Sequence, residues 1–166
     1  NNCVFCKIIS GEFSSYTLYE DDDFKVIFDI NPATYGHALL ITKNHYKNLF
    51  ELDDTVASKA LVIAKKVATV LANELQCDGF NLLQNNEEIA GQTIFHFHIH
   101  LIPRYKNDNV SLVPATMKID EAKATELSEK INKSFELIKE SQKPVLYVGG
   151  GANSPISSKV LREFKK

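Results

Sequence analysis

Glycine and proline are scarce in this 166-residue chain, with seven and five copies, and neither an internal repeat nor a low-complexity stretch occurs. That excludes collagenous, linker-like and disordered chains. No apolar run approaches the ~20 residues that cross a bilayer, and no charged-then-apolar leader opens the chain, so no membrane partner is expected. Neither sign of charge dominates: nineteen basic and twenty-one acidic residues leave a formal charge of −2. Bulk nucleic-acid binding is therefore not expected, and any phosphate recognition must be local. Three cysteines are too few for the disulfide framework of a small secreted domain. A reducing, cytoplasmic setting is the expectation.

What is present fits a folded domain: 44% of residues are hydrophobic and 24% charged, enough for one ordinary core. Lys25–Asp29 reads as a strand ended by an Asn31-Pro32 turn. Gly36 leads into Ala38–Ile41, an apolar run of buried-strand length. From Thr55 to Leu75 the period becomes helical, with Ala57, Ala60, Leu61, Ala64, Ala68, Leu71 and Leu75 on one stripe. Asp53 or Asp54 can cap that helix, and Asp78-Gly79 can stop it. Phe80–Gln84 reads as a third strand, and a polar loop, Asn85–Gln92, follows. A second helix is expected from about Asp120 to Glu140, with Leu127, Ile131, Phe135 and Ile138 on one side. This order predicts an α+β fold around an antiparallel sheet. The domain is placed at 1–138. A short extension, 139–166, reads as strand (Lys143–Val148), glycine turn (Gly149–Gly151) and helix (Ser157–Phe164), too small to bury a core alone. Its role is not assigned.

The most informative segment is Phe95-His96-Phe97-His98-Ile99-His100-Leu101-Ile102, followed by Pro103. Side chains alternate across a strand, so His96, His98 and His100 share one face while Phe97, Ile99 and Leu101 point into a core. One imidazole on a sheet face is usually structural, but three in register read as a working surface. Two chemistries compete for it. Neutral imidazole is a phosphorus nucleophile near pH 7. Alternatively, His-x-His with a third histidine is a catalytic zinc set, which would make the chain a zinc-dependent hydrolase. Separately, Cys3-x-x-Cys6 has the spacing of half a zinc site.

The run Gly91–Arg104, together with Phe5–Glu12, Phe28-Asp29-Ile30 and Gly36–Ile41, resembles the histidine triad family of nucleotide hydrolases and transferases. The likeness extends over roughly residues 1–135 and is to the bacterial Hint-like branch. Gln92-Thr93 before the triad and Pro103-Arg104 after it also resemble the dinucleoside polyphosphate-cleaving Fhit branch. The resemblance implies an antiparallel sheet of about five strands with one long helix and a C-terminal helix. It implies that His98 attacks the α-phosphorus of a purine nucleotide, giving a nucleotidyl-histidine. His100, His37 and Thr93 would assist, and Gln92 and Asn85 would lie near the phosphates and ribose. Asp29 would hold the ribose hydroxyls, and Phe5, Ile8, Ile27 and Ile30 would enclose the base. Bacterial relatives with this CxxC imply a structural Zn2+ on Cys3, Cys6, His45 and His96, and a homodimer. A nucleotide-binding module with little turnover is the remaining alternative. Three positions depart from the family pattern: Phe13, Thr42, and Glu87, where a glycine commonly follows the Asn pair. Residues 136–166 also resemble the opening of the central domain of thiamine-diphosphate enzymes.

Overall fold

The computed structural model describes residues 2–140. The described residues fall into two units that meet between Ser111 and Leu112. In the first, one five-stranded sheet has the order β1-β2-β3-β5-β4, from β1 (Thr17–Glu20), β2 (Phe24–Phe28), β3 (Ala38–Thr42), β4 (Gly79–Leu83) and β5 (His98–Arg104). Every pairing is antiparallel. The long helix α2 spans Asp54–Leu75 and a short helix, α1, spans Val4–Ile9. The five-stranded α+β architecture anticipated from the sequence is the one found. β1 had no expected counterpart, because Thr17, Leu18 and Glu20 are exposed and its alternation carries little apolar signal.

The sheet buries both faces at its centre, which is why β3 (Ala-Leu-Leu-Ile-Thr) is apolar without alternation and buried throughout. On one face Phe24, Val26, Leu40, Phe97, Ile99 and Leu101 meet α2. On the other, Ile27, Leu39 and Ile41 meet Phe5 of α1. The buried stripe of α2 is Val56, Ala60, Ile63, Ala64, Val67 and Leu71. It shares three positions with the expected stripe but is rotated, leaving Leu61 two-thirds exposed. An alanine-rich helix offers more than one apolar line, and here the bulky Val56, Ile63 and Val67 fill the core. Asp53 is the N-cap, its carboxylate accepting from Thr55 N at 2.8 Å. The helix ends at Gln76, in the left-handed region (φ 49°), and not at Asp78-Gly79; Gly79 already begins β4.

Gly36 turns the chain into β3 at φ +84°, with a Cβ position occupied by the Leu75 side chain. Gly36→Ala is therefore expected to cost about 1–3 kcal/mol through the backbone alone, read as a lower urea midpoint at unchanged m.

In the second unit α3 runs Glu121–Glu140, one residue inside the expected start. Asp120 accepts from Lys123 N at 3.1 Å, and Glu126–Lys130 forms an i,i+4 pair at 2.6 Å. The expected strand, glycine turn and helix after residue 140 lie outside the described residues.

Candidate active site

The register assembles the site. His98 is opposite Ile41 and His100 opposite Leu39, so both imidazoles lie on the α1 face. The ladder itself starts at His98, later than the expected Phe95, because the chain before it bonds elsewhere. Phe97 N donates to Tyr46 O (2.6 Å) and His96 N to Ile94 O (2.9 Å). The in-out alternation survives nonetheless: Phe97, Ile99 and Leu101 are in the α2-side core. Pro103 lies within the strand, paired with Phe80. Thr34 Oγ1 donates to Pro103 O at 2.6 Å. That carbonyl, and hence the proton-less nitrogen, faces the β3 side, where strand pairing has ended at Leu101.

Hydrogen bonds to groups of fixed role set each ring's tautomer. Carbonyls only accept, so the 2.7 Å contact of His98 Nδ1 with His96 O puts the proton on Nδ1 and leaves a lone pair on Nε2. Amides only donate, so Ala33 N at 3.0 Å from His37 Nδ1 leaves the His37 proton on Nε2. That nitrogen lies 3.0 Å from His100 Nδ1, which therefore accepts, and His100 carries its own proton on Nε2. Asp29 Oδ2 is 3.7 Å from His37 Nε2, while Asp29 Oδ1 accepts from Asn31 N at 2.8 Å. Burial lowers all three ring pKa values. His100 falls to about 4, with His98 and His37 as further causes. For His98 the bond to His96 O opposes burial, and for His37 the Asp29 charge does. The rings are neutral at pH 7.

The His98 and His100 rings open onto a cavity of about 340 Å³. Of the sequence-expected residues, Phe5, Ile8, Ile27, Asp29, Ile30, Thr93, His98 and His100 line it together. Phe13, Ser14, Ser15 and Leu39 line it as well; none of them was expected there as a site residue. His37 reaches the site through His100 and Asp29. Asn85 and Gln92 are not among the lining residues. Asn85 Nδ2 donates to Gly91 O (3.3 Å). The buried Gln92 amide donates to Lys47 O (2.7 Å) and Ile94 O (3.1 Å) and accepts from Glu87 N (2.9 Å). Its side chain ties Glu87 and Lys47 to the irregular segment, ahead of β5, that carries Thr93.

Glu87 explains its own departure from glycine. Its backbone, at φ 70° and ψ 160°, occupies a region that is essentially glycine-only. Its carboxylate is gripped by Lys47 Nζ (2.7 and 2.8 Å) and Asn48 Nδ2 (2.7 Å), which offsets the strain.

Two side-chain groups have metal-like composition among the described residues: Cys3, Cys6, His45 and His96, with ligand atoms within 4.8 Å of one another, and Asp29, His37 and His100. Protons separate them. His96 Nε2 donates to Thr42 O at 2.7 Å, so the Nδ1 lone pair faces Cys3 Sγ (3.4 Å) and Cys6 Sγ (3.6 Å). His45 Nδ1 is 3.3 Å from Cys6 Sγ. A carbonyl-anchored imidazole beside two thiols is the ligation pattern of zinc. In the second group Ala33 N occupies the His37 Nδ1 lone pair and forces a proton onto the nitrogen that would ligate. The first group fits a metal and the second does not. His98 belongs to neither, so the three strand histidines do not form one ligand set.

Comparison with known proteins places the chain in a family. The HIT domain family model matches residues 10–107. The Bacillus subtilis protein hit is 42% identical over 113 residues, covering 68% of this chain and 78% of that protein. An Arabidopsis thaliana adenylylsulfatase is 43% identical over 124 residues (72% and 63%). A Saccharomyces cerevisiae adenosine 5′-monophosphoramidase is 42% identical over 102 residues (61% and 62%). Among solved structures, a Streptococcus mutans protein superposes with TM-score 0.77 at 39% identity, over 81% of this chain and 86% of that one. A zinc-bound histidine triad family protein of Mycobacterium smegmatis superposes at 0.63 with 30% identity (80% and 97%). With the triad, its strand and its flanking sheet all in place, the chain belongs to the HIT domain family.

Proposed function

We propose that this chain is a nucleotide hydrolase or nucleotidyl transferase that opens the α-phosphorus bond of purine nucleotides, phosphoramidates or dinucleoside polyphosphates, through a covalent bond to His98. The observation that carries the reading is the bond from His98 Nδ1–H to the His96 carbonyl: it leaves an unprotonated Nε2 in a ring that lines the cleft. Attack forms an Nε2–P bond as the bond to the leaving group breaks. Thr93 and His100 line the same cleft, and the Thr93 hydroxyl and the His100 Nε2–H would serve as donors to phosphoryl oxygens and to the departing atom. Water, or another acceptor, then attacks phosphorus, the N–P bond breaks, and the electron pair returns to Nε2. Phe5, Ile8, Ile27 and Ile30 would flank the base and Asp29 would accept from ribose hydroxyls. The enzyme names carried by the plant and yeast relatives support nucleotide hydrolysis over mere binding.

A structural zinc ion on Cys3, Cys6, His45 and His96 belongs to this reading, supported by the ligand geometry and the zinc-bound relative. It would pin α1 to the histidine segment, and no chemical step passes through it. A homodimer and a reducing, cytoplasmic setting complete the proposal. Among the described residues no helix is long and apolar enough to cross a membrane.

Steady-state assays with adenosine 5′-phosphoramidate and diadenosine polyphosphate test the proposal. Release of AMP, with an acid-labile, alkali-stable nucleotidyl-protein in single turnover, is expected. Turnover of neither substrate would refute it.

The proton chemistry sets the pH profile. His98 and His100 have folded pKa values below the ordinary ~6.5, so kcat/KM is expected to be flat from pH 8 to about 6.5 and to fall only below that. Stability follows the same window. Between about 6.5 and the folded value, about 4 for His100, the unfolded chain binds more protons, so stability is full above pH 6.5 and is lost as pH falls. An acid limb centred above pH 6.5 would contradict the assignment.

A further inference from the structure

α1 presents two sides to two sites. Cys3 and Cys6 face His45 and His96, while Val4, Phe5 and Ile8 line the cleft. Phe5 lies between the cysteines in sequence and is 3% exposed. Its ring meets His96 edge-on (centroids 5.8 Å, 83° between planes) and meets His98 likewise (5.1 Å, 72°). The same two histidines are joined through the backbone, the His98 proton resting on the His96 carbonyl. α1 itself has six residues, and its N-cap, Cys3, makes no side-chain capping bond. A helix that short does not persist by itself; it is held by what it touches.

We infer that the metal set and the nucleotide cleft are coupled through α1, so that zinc and a purine nucleotide each tighten the other's binding, with Phe5 as the positioning residue between them. This rests on the nucleotide reading above. Both ligands immobilise one small element. Whichever binds first bears the cost of ordering it, and the second meets a wall already in place. Linkage requires the two enhancements to be equal. Phe5 is the side chain able to carry the effect, because it is fixed between Cys3 and Cys6 and rests on both the metal-facing and the phosphorus-facing imidazole.

The experiment uses the full chain, metal-stripped or loaded with one equivalent of zinc, with AMP as the nucleotide probe. Calorimetry is expected to give an AMP Kd about tenfold weaker in the stripped form. Zinc affinity, by competition with a chromophoric chelator, should rise by the same factor in saturating AMP. In Phe5→Leu, absolute AMP affinity falls, one equivalent of zinc is still bound, and the enhancement shrinks below about twofold. Equal AMP affinity in both forms, with AMP and zinc each binding, overturns the coupling and leaves the nucleotide reading intact. Absence of AMP binding in both forms overturns both. An undiminished enhancement in Phe5→Leu overturns the assignment to Phe5 and points instead to folding of the whole domain. The zinc competition uses the unaltered chain and decides the coupling even if Phe5→Leu folds poorly.

Discussion

His98→Ala is expected to reduce turnover of adenosine 5′-phosphoramidate by at least roughly 10³-fold while leaving AMP binding within a few-fold of the parent chain. The magnitude follows from the role: removing a covalent nucleophile removes the two-step route, and only positioning and charge stabilisation remain. The retained affinity follows from the proposed base contacts, Phe5, Ile8 and Ile27, which line the cavity and are left in place by the substitution. The alanine also leaves the His37–His100 pair at 3.0 Å untouched. Stopped-flow single turnovers and an AMP titration separate the two effects. A variant that keeps its rate would mean that another group attacks phosphorus, and one that loses AMP binding equally would recast His98 as a binding residue.

Zinc removal should produce the largest change in stability. A site loaded at about a thousand times its Kd stabilises the folded chain by about 4 kcal/mol, equivalent to a fall in Tm of roughly 8–16 °C for a domain of this size. Cys6→Ser should show the same fall without chelator. The Cys6 thiol is already pushed up by burial and by Cys3 beside it, so two thiols crowd one spot that a dication would neutralise. Calorimetric scans with and without chelator, beside metal analysis of fresh protein, read the result. At saturating nucleotide kcat should change little, because no ligand of the metal set attacks phosphorus. Unchanged Tm together with metal-free protein would remove zinc from the account.

The fold was legible where one periodicity was unopposed. Phe97, Ile99 and Leu101 against His98 and His100 could only alternate across a strand, and the structure keeps that division even ahead of the ladder. The α2 stripe was ambiguous because Ala57, Ala60, Ala64 and Ala68 give almost any face some apolar character; packing against Phe24 and Leu40 chose among them. β1 and α1 escaped because short elements are held by tertiary contact, and residues 4–9 carry too little period to declare a helix. At the site, spacing alone offered Cys3-x-x-Cys6, and the likeness to zinc-binding relatives added His45 and His96; the fold brings these four together, Cys3 and His96 from 93 positions apart. Gln92 shows the opposite limit. An amide beside a triad reads as a phosphate donor, yet all of its bonds go to the neighbouring backbone. The direction of the His37–His100 bond depends on an amide, Ala33 N–H, and a residue string carries no sign of that.

The acceptor that orients His98 is the peptide oxygen two residues before it, not a separate carboxylate. Every amino acid supplies that oxygen, so no single substitution can delete it. In enzymes where a remote acid orients the imidazole, one mutation can leave a mis-protonated ring; here the proper tautomer is inherited with the chain path. Variation around the proposed nucleophile is thereby free to alter loop chemistry, as at Glu87, without changing which ring nitrogen carries the proton.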